Sequence, residues 1–238
     1  AGAERGRRVS PLPLPSHPDP ARFRHLAEEP GVGFVFTDYD RFEPLIEHCI
    51  RVGVPYAVYT VHRCSARNIN QLWIDTAAAM RLVVAHLVER GHRQIAFFGD
   101  HRNSRRYRGY REALHQAGLP YVPSHCLFAS GRADMAAVVA EEFLASRPEL
   151  DAVACSSDLR ALGVMTAARR LGRGLPEFGV AGVDNIGEIF PGMPRLTTAD
   201  LMRRQVGAGL VDLVLALEHG AAPMTVEIPA ALVIGETT

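Results

Sequence analysis

At 238 residues the chain can form one large domain or two small ones, with enough core to need no covalent staples. Its 47% hydrophobic and 22% charged residues are those of a globular protein and exclude disorder of the whole chain. The formal net charge is +0, with arginine supplying every one of the 26 basic residues, so the basic excess that phosphate contacts demand of a free-standing DNA-binding domain is absent.

In chain order, the start from Ala1 to Pro20 is rich in Arg and Pro and lacks the apolar stretch of a signal peptide. Within it, Pro11–Pro20 reads equally well as one strand with a turn or as a partly ordered tail. Short apolar runs then recur at Gly33–Thr37, Pro55–Thr60, Gln94–Gly99, Asp151–Cys155 and Phe178–Val183, as expected of strands buried on both faces of a parallel sheet. Helical spacing separates them. Met80, Val83, Val84, Leu87 and Val88 form one stripe that stops at Gly91; Leu159, Leu162, Met165 and Leu171 form another that stops at Gly172. A long helix over Leu201–His219 precedes Pro223 and an extended stretch, Thr225–Ile234. The alternation predicts an α/β, doubly wound architecture with right-handed crossovers.

Open parallel sheets bind ligands beyond the carboxyl ends of their strands. The segments in that position are Asp38–Asp40, Val61–Arg63, Asp100–Arg106, Ser156–Asp158 and Asp184–Asn185. In the segment Arg102–Tyr110, arginines enter a helix against its macrodipole. Either an anionic or multi-hydroxyl ligand or a neighbouring carboxylate would offset Arg106. Asp158 is most simply the N-cap of the following helix, and Ser157 can cap, face a pocket, or do both. Asp184 and Asn185 suit paired sugar hydroxyls, one accepting and one donating, but suit a turn equally. Tyr107 and Tyr110 have the spacing of core packing.

Catalytic patterns are missing: there is no G-x-S-x-G, GxxxxGK[ST], G-x-G-x-x-G or H-E-x-x-H. The close pairs His48–Cys49 and His62–Cys64 have no second pair at ligand spacing, so neither a metal nor a cofactor is expected. Cys49, Cys64, Cys126 and Cys155 are scattered and read as buried free thiols of a reducing cytoplasm. No apolar run approaches the roughly 18 residues of a membrane span.

The ordered segments resemble the effector domain of LacI/GalR-family transcription regulators. The resemblance begins at Asp75–Arg93, with a helix ending in Gly91-His92-Arg93. It continues through Arg106-Tyr107-Arg108-Gly109-Tyr110 (R-x-x-G-[YFW]), Ser157–Gly163 ([NS]-D-x-x-A-x-G), Val180–Asn185 (V-x-G-[YF]-D-[DN]) and Pro194–Thr198 (P-x-L-T-T). It covers roughly Val9 to Thr238, more loosely before Ile74. It implies two doubly wound parallel-sheet lobes of periplasmic-binding-protein type I, joined by three crossovers. One lobe would comprise residues 1–75 and 201–230, the other residues 76–200 and 231–238.

What the resemblance implies about function is non-enzymatic. A sugar, sugar phosphate or similar small polar effector closes the lobes and modulates operator binding by a homodimer, whose helix-turn-helix is not in this chain. Arg106 and Asp184 occupy positions that hydrogen-bond effectors, with Ser157 and Arg102 beside them. Trp73 before the first crossover can stack on a sugar face, and Asp75 lies near it. A periplasmic sugar-binding protein of a transport system is the alternative. Two departures stand out. The family's first strand and helix have no counterpart here beyond Ala1–Gly6, which resembles the tail of that helix. Gly235 stands where the family usually has Arg.

Overall fold

The structure, a computed structural model, describes residues 6, 8–12, 20–66, 68–101, 104–129, 133–187 and 192–238. In chain order the elements are α1 (Pro20–Ala27), β1 (Phe34–Phe36), α2 (Tyr39–Val52), β2 (Tyr56–Thr60), β3 (Gln71–Trp73), α3 (Thr76–Glu89), β4 (Ile95–Gly99), α4 (Arg105–Gln116) and β5 (Cys126–Phe128). Then follow α5 (Ala133–Ala145), β6 (Ala152–Cys155), α6 (Asp158–Arg170), β7 (Gly179–Val183), β8 (Thr197–Asp200), α7 (Arg203–Glu218), β9 (Thr225–Glu227) and β10 (Ala231–Val233). All five apolar runs of the sequence become strands. The expectation for Pro11–Pro20 falls mostly on residues outside the described ones; Pro11 and Leu12 carry no regular structure, and Pro20 opens α1.

The chain divides into two compact units, Ala1–Asp75 with Met202–Pro229, and Thr76–Leu201 with Ala230–Thr238. In the first unit a four-stranded sheet runs β1-β2-β3-β9, parallel throughout. Leu45, Ile46 and Cys49 of α2 pack with Phe23, Tyr56 and Val58 to form its core. Asp38 caps α2 by accepting from the Arg41 N–H at 3.2 Å, and Gly53 ends it at φ 74. β3 carries polar side chains into this interior. Buried Asn70 donates to the carbonyls of Tyr56 (2.7 Å) and Leu213 (3.0 Å) and accepts from the Met224 N–H (3.1 Å). Gln71, also fully buried, donates to the His62 carbonyl at 2.9 Å and accepts from the Cys64 N–H at 3.1 Å. Buried amides satisfied in this way fix the strand's register instead of destabilising it.

In the second unit a six-stranded sheet has the order β10-β8-β7-β6-β4-β5, and only β10 runs antiparallel to its neighbour. The extended stretch Thr225–Ile234 therefore serves both sheets. It breaks between β9 and β10 around Pro229, which has no N–H to donate. Of the α3 stripe, Met80, Val83, Val84 and Leu87 are buried as its spacing predicts and Val88 is half-buried, and Gly91 follows at φ 99.

The α6 stripe is corrected in part. Met165 is buried and Leu162 and Leu171 are half-buried, but Leu159 is 49% exposed, and the buried face also takes in Ala161, Val164, Ala167 and Ala168. The reason is close helix packing: a Cβ at Gly163 would lie 2.7 Å from the Ala136 Cβ and 2.9 Å from the Ala137 nitrogen on α5. Small residues, not leucines, set this interface.

The carboxyl terminus is threaded into the second unit. Thr237 donates its hydroxyl to the Val180 carbonyl at 2.6 Å, and the Val180 N–H returns a bond to the Thr237 carbonyl at 2.8 Å. The Thr238 hydroxyl lies 2.8 Å from both Thr197 Oγ1 and His86 Nε2. The glycine at 235 has a steric cause, because a Cβ there would sit 2.1 Å from the Arg195 carbonyl oxygen.

Two outcomes follow. Gly163→Ala should lower stability by about 1–3 kcal/mol in urea unfolding, the usual cost of overpacking. His86 and His92 are buried, and burial lowers both imidazoles below their ordinary 6.5. Keeping them neutral gives stability that is present above that value and is lost as pH falls through the lowered folded values. Unfolding measured from pH 8 to pH 5 should therefore show falling stability on acidification, and His86→Gln should make that fall shallower.

Candidate functional site

At the carboxyl edge of the six-stranded sheet, β4, β6 and β7 each end in a polar segment. β4 leads through Asp100 to α4, whose N-cap is Ser104, accepting from the Tyr107 N–H at 3.1 Å. This places Arg106 in the first turn. Its Nη2 donates to Asp184 Oδ1 at 2.8 Å, and its Nη1 donates to the Ser156 carbonyl. One guanidinium thus joins α4 to the ends of β6 and β7. Of the two ways to offset an arginine at this helix entry, a neighbouring carboxylate is the one present.

Asp184 and Asn185 continue β7 at φ 121 and φ 46, in the left-handed region that non-glycine residues enter at a cost of about 1–3 kcal/mol. Hydrogen bonds hold them there. The Asp184 N–H donates to the Ala199 carbonyl at 3.0 Å, the Asn185 N–H to Thr198 Oγ1 at 3.3 Å, and Asn185 Nδ2 to Asp200 Oδ2 at 2.9 Å. Asp184 and Asn185 therefore form the turn that the sequence allowed.

The assignment of Asp158 as helix cap is corrected. Ser157 is the N-cap of α6, accepting from the Arg160 N–H, whereas Asp158 is the buried first residue of the helix. Asp158 accepts from the Thr198 hydroxyl at 2.6 Å and from the Ile186 N–H at 2.9 Å, tying α6 to β8 and to the loop after β7. Burial pushes its carboxyl up from the ordinary 3.8, and these two hydrogen bonds pull it back. The next residues bring a second guanidinium to the edge. Arg160 Nη1 donates to Ser157 Oγ at 3.2 Å and Nη2 to the Ala129 carbonyl at 3.2 Å.

Of the sequence-predicted residues, the structure gathers Arg106, Ser157 and Asp184 at this edge. Trp73 and Asp75 stand in the first unit, at and just past the end of β3, both half-buried. Arg102 lies outside the described residues. Sequence reasoning missed Ser104 and Asp200, and saw Arg160 and Thr198 only as parts of motifs. Ser104 three residues ahead of the Tyr107 amide was a readable cap signal. Arg160 and Asp200 sat inside periodic segments with nothing to mark them. Among the described residues, no group of three or more His, Cys, Asp and Glu side chains is placed to hold a metal ion. No described helix is long and apolar enough to cross a membrane.

The Arg106–Asp184 pair is only about a quarter exposed on each side, so solvent screens it incompletely. Arg106→Ala should destabilise the second unit by about 1–2 kcal/mol, in the range for a charged hydrogen bond with partial screening. Asp184→Asn should recover part of that loss in the double variant, read by thermal unfolding.

Comparison with known proteins places this geometry. Residues 84–238 match the periplasmic binding protein-like domain. The chain is 30% identical over 199 residues to the HTH-type transcriptional regulator CelR of Thermobifida fusca, covering 79% of this chain and 58% of that regulator. The chain thus spans rather more than half the length of this curated relative. A regulatory protein of the LacI family from Chloroflexus aggregans superimposes with a TM-score of 0.76 at 25% identity, covering 91% of this chain and 80% of that one. A complex of the transcriptional regulator CelR with cellobiose superimposes with a TM-score of 0.69 at 26% identity, covering 92% of this chain and 70% of that one. The two sheets, the strand-end polar edge and these matches lead to one assignment: the chain belongs to the periplasmic binding protein-like domain family.

Proposed function

We propose that this chain is the effector-sensing part of a LacI-family DNA-binding transcription regulator. A small, polar, sugar-like ligand bound here modulates operator binding by the intact homodimer, which reads DNA through a helix-turn-helix domain in the remainder of the protein. The observation that carries the proposal is the Arg106–Asp184 pair at the ends of β4 and β7. Each terminal nitrogen of Arg106 keeps a second N–H, and among the described residues the Asp184 side chain is bonded through Oδ1 alone. A donor and an acceptor stand side by side, which is what adjacent hydroxyls of a sugar require. The cellobiose held by the CelR regulator is a ligand of that class.

In this role Arg106 and Asp184 hydrogen-bond the effector, with Ser157 at the same strand-end edge. No chemistry is performed on the ligand. Binding acts by linkage: an effector shifts operator affinity only as far as it prefers one state of the regulator over another.

The test is a thermal-shift screen of the chain against sugars, sugar phosphates and nucleobases. A true effector at a hundred times its dissociation constant adds about 2.7 kcal/mol of stability. Arg106→Ala should weaken that binding by about 1.5–3 kcal/mol, the worth of a charged hydrogen bond. Operator affinity of the intact regulator must then change when the ligand is added; an affinity indifferent to every ligand that binds would sink the proposal.

A further inference from the structure

Resting on that sensing role, we propose that the effector carries an oxyanion, a carboxylate or a phosphate, and that Arg160 receives it. Arg106 and Arg160 reach consecutive residues at the end of β6, the Ser156 carbonyl and the Ser157 hydroxyl. Their charges are not treated alike. Arg106 is neutralised by Asp184 at 2.8 Å. Among the described residues Arg160 meets no carboxylate: its hydrogen bonds go to a hydroxyl and a carbonyl, and its guanidinium lies 5.9 Å from the Phe98 ring centre. Its Nε is fully buried and makes no hydrogen bond.

The nearest acid in sequence, Asp158, is turned away. It spends both oxygens on Thr198 and Ile186, on the β7–β8 side of β6, while Arg160 extends to Ala129 past β4, beyond the end of β5. Arg160 also sits in the first turn of α6, where the macrodipole disfavours a cation. A half-buried guanidinium that has no counter-charge, with one orphaned N–H group and an opposing dipole, is costly in the empty protein. An oxyanion on the ligand supplies the missing charge and two-point acceptors that match the planar donor. With a sugar diol on Arg106 and Asp184, the ligand class becomes a sugar acid or a sugar phosphate.

The test uses matched triads built on one hexose: the neutral sugar, its uronate and its 6-phosphate, titrated calorimetrically into the chain for glucose, galactose and mannose. The tightest ligand is expected to be an anionic member. Arg160→Met should then lower its affinity at least about tenfold and collapse the anion-over-neutral ratio, with Arg160→Lys keeping part of that ratio. The two oxyanions separate by pH: phosphate affinity should climb between pH 5.5 and 8 as its second proton leaves near pH 6, and uronate affinity should stay level. A neutral sugar as tightest ligand, or a ratio unchanged in Arg160→Met, overturns the role of Arg160 and leaves the sensing role standing. Binding by no member of any triad overturns the sugar-acid or sugar-phosphate assignment and leaves the sensing role to the wider screen.

Discussion

The Arg106 guanidinium reaches two strand ends at once, bonding the Ser156 carbonyl after β6 and the Asp184 carboxylate after β7. A parallel sheet leaves such ends as loose carbonyls and sharp turns, and here one planar cation from α4 gathers them. The strained backbone at Asp184 and Asn185 persists because that carboxylate is held from one side by Arg106 and the turn is held from the other by β8. Strain of this kind survives only where the surroundings over-determine it. The same groups retain unused donors and an unused acceptor, so a feature that closes the sheet edge is also suited to holding a ligand.

The scaffold beneath explains why these side chains can be placed to within fractions of an ångström. The helices α5 and α6 approach closely at Gly163, where Ala136 and Ala137 leave no room for a larger side chain. On the other flank, Thr237 and Thr238 bind β7 and α3 into the same block as Thr197 on β8. Asp158 belongs to this frame and not to the ligand surface, since its two oxygens are consumed by Thr198 and Ile186. Sites supported on strand ends and helix first turns are more exact than sites on free loops.

The features legible in the sequence are those that physics writes as pattern. Double-sided burial produced continuous apolar runs, so the central strands were readable, and glycine stops marked the ends of α3 and α6. What could not be read had its signal in partners far along the chain. The start of β3 looks polar because Asn70, just before it, and Gln71 are buried amides, and their bonds to Tyr56, Leu213 and His62 make that tolerable. The leucines of α6 suggested a face that its alanines occupy, because periodicity cannot tell that a neighbouring helix comes close enough to require small residues. Ser157 and Asp158 are adjacent and both are good caps; the choice depended on Thr198, forty residues on. Of the site, Arg106 and Asp184 were visible as charged residues at strand ends, but their pairing was not, and Arg160 was hidden in a helix.

The distribution of charge across β6 gives this edge a direction. Toward β7 and β8, the acids among the described residues of this edge are answered: Asp158 by a hydroxyl and an amide, Asp184 by Arg106, Asp200 by Asn185. Toward β4 and β5, Arg160 is answered only by neutral oxygens. A neutral polyol needs nothing beyond the satisfied side, where exchange of hydrogen bonds is nearly even in energy. A ligand that also bears negative charge gains on the unsatisfied side what the empty protein forgoes. Discrimination between the two therefore comes less from an added attraction than from a cost already present before binding, which only one class of ligand removes.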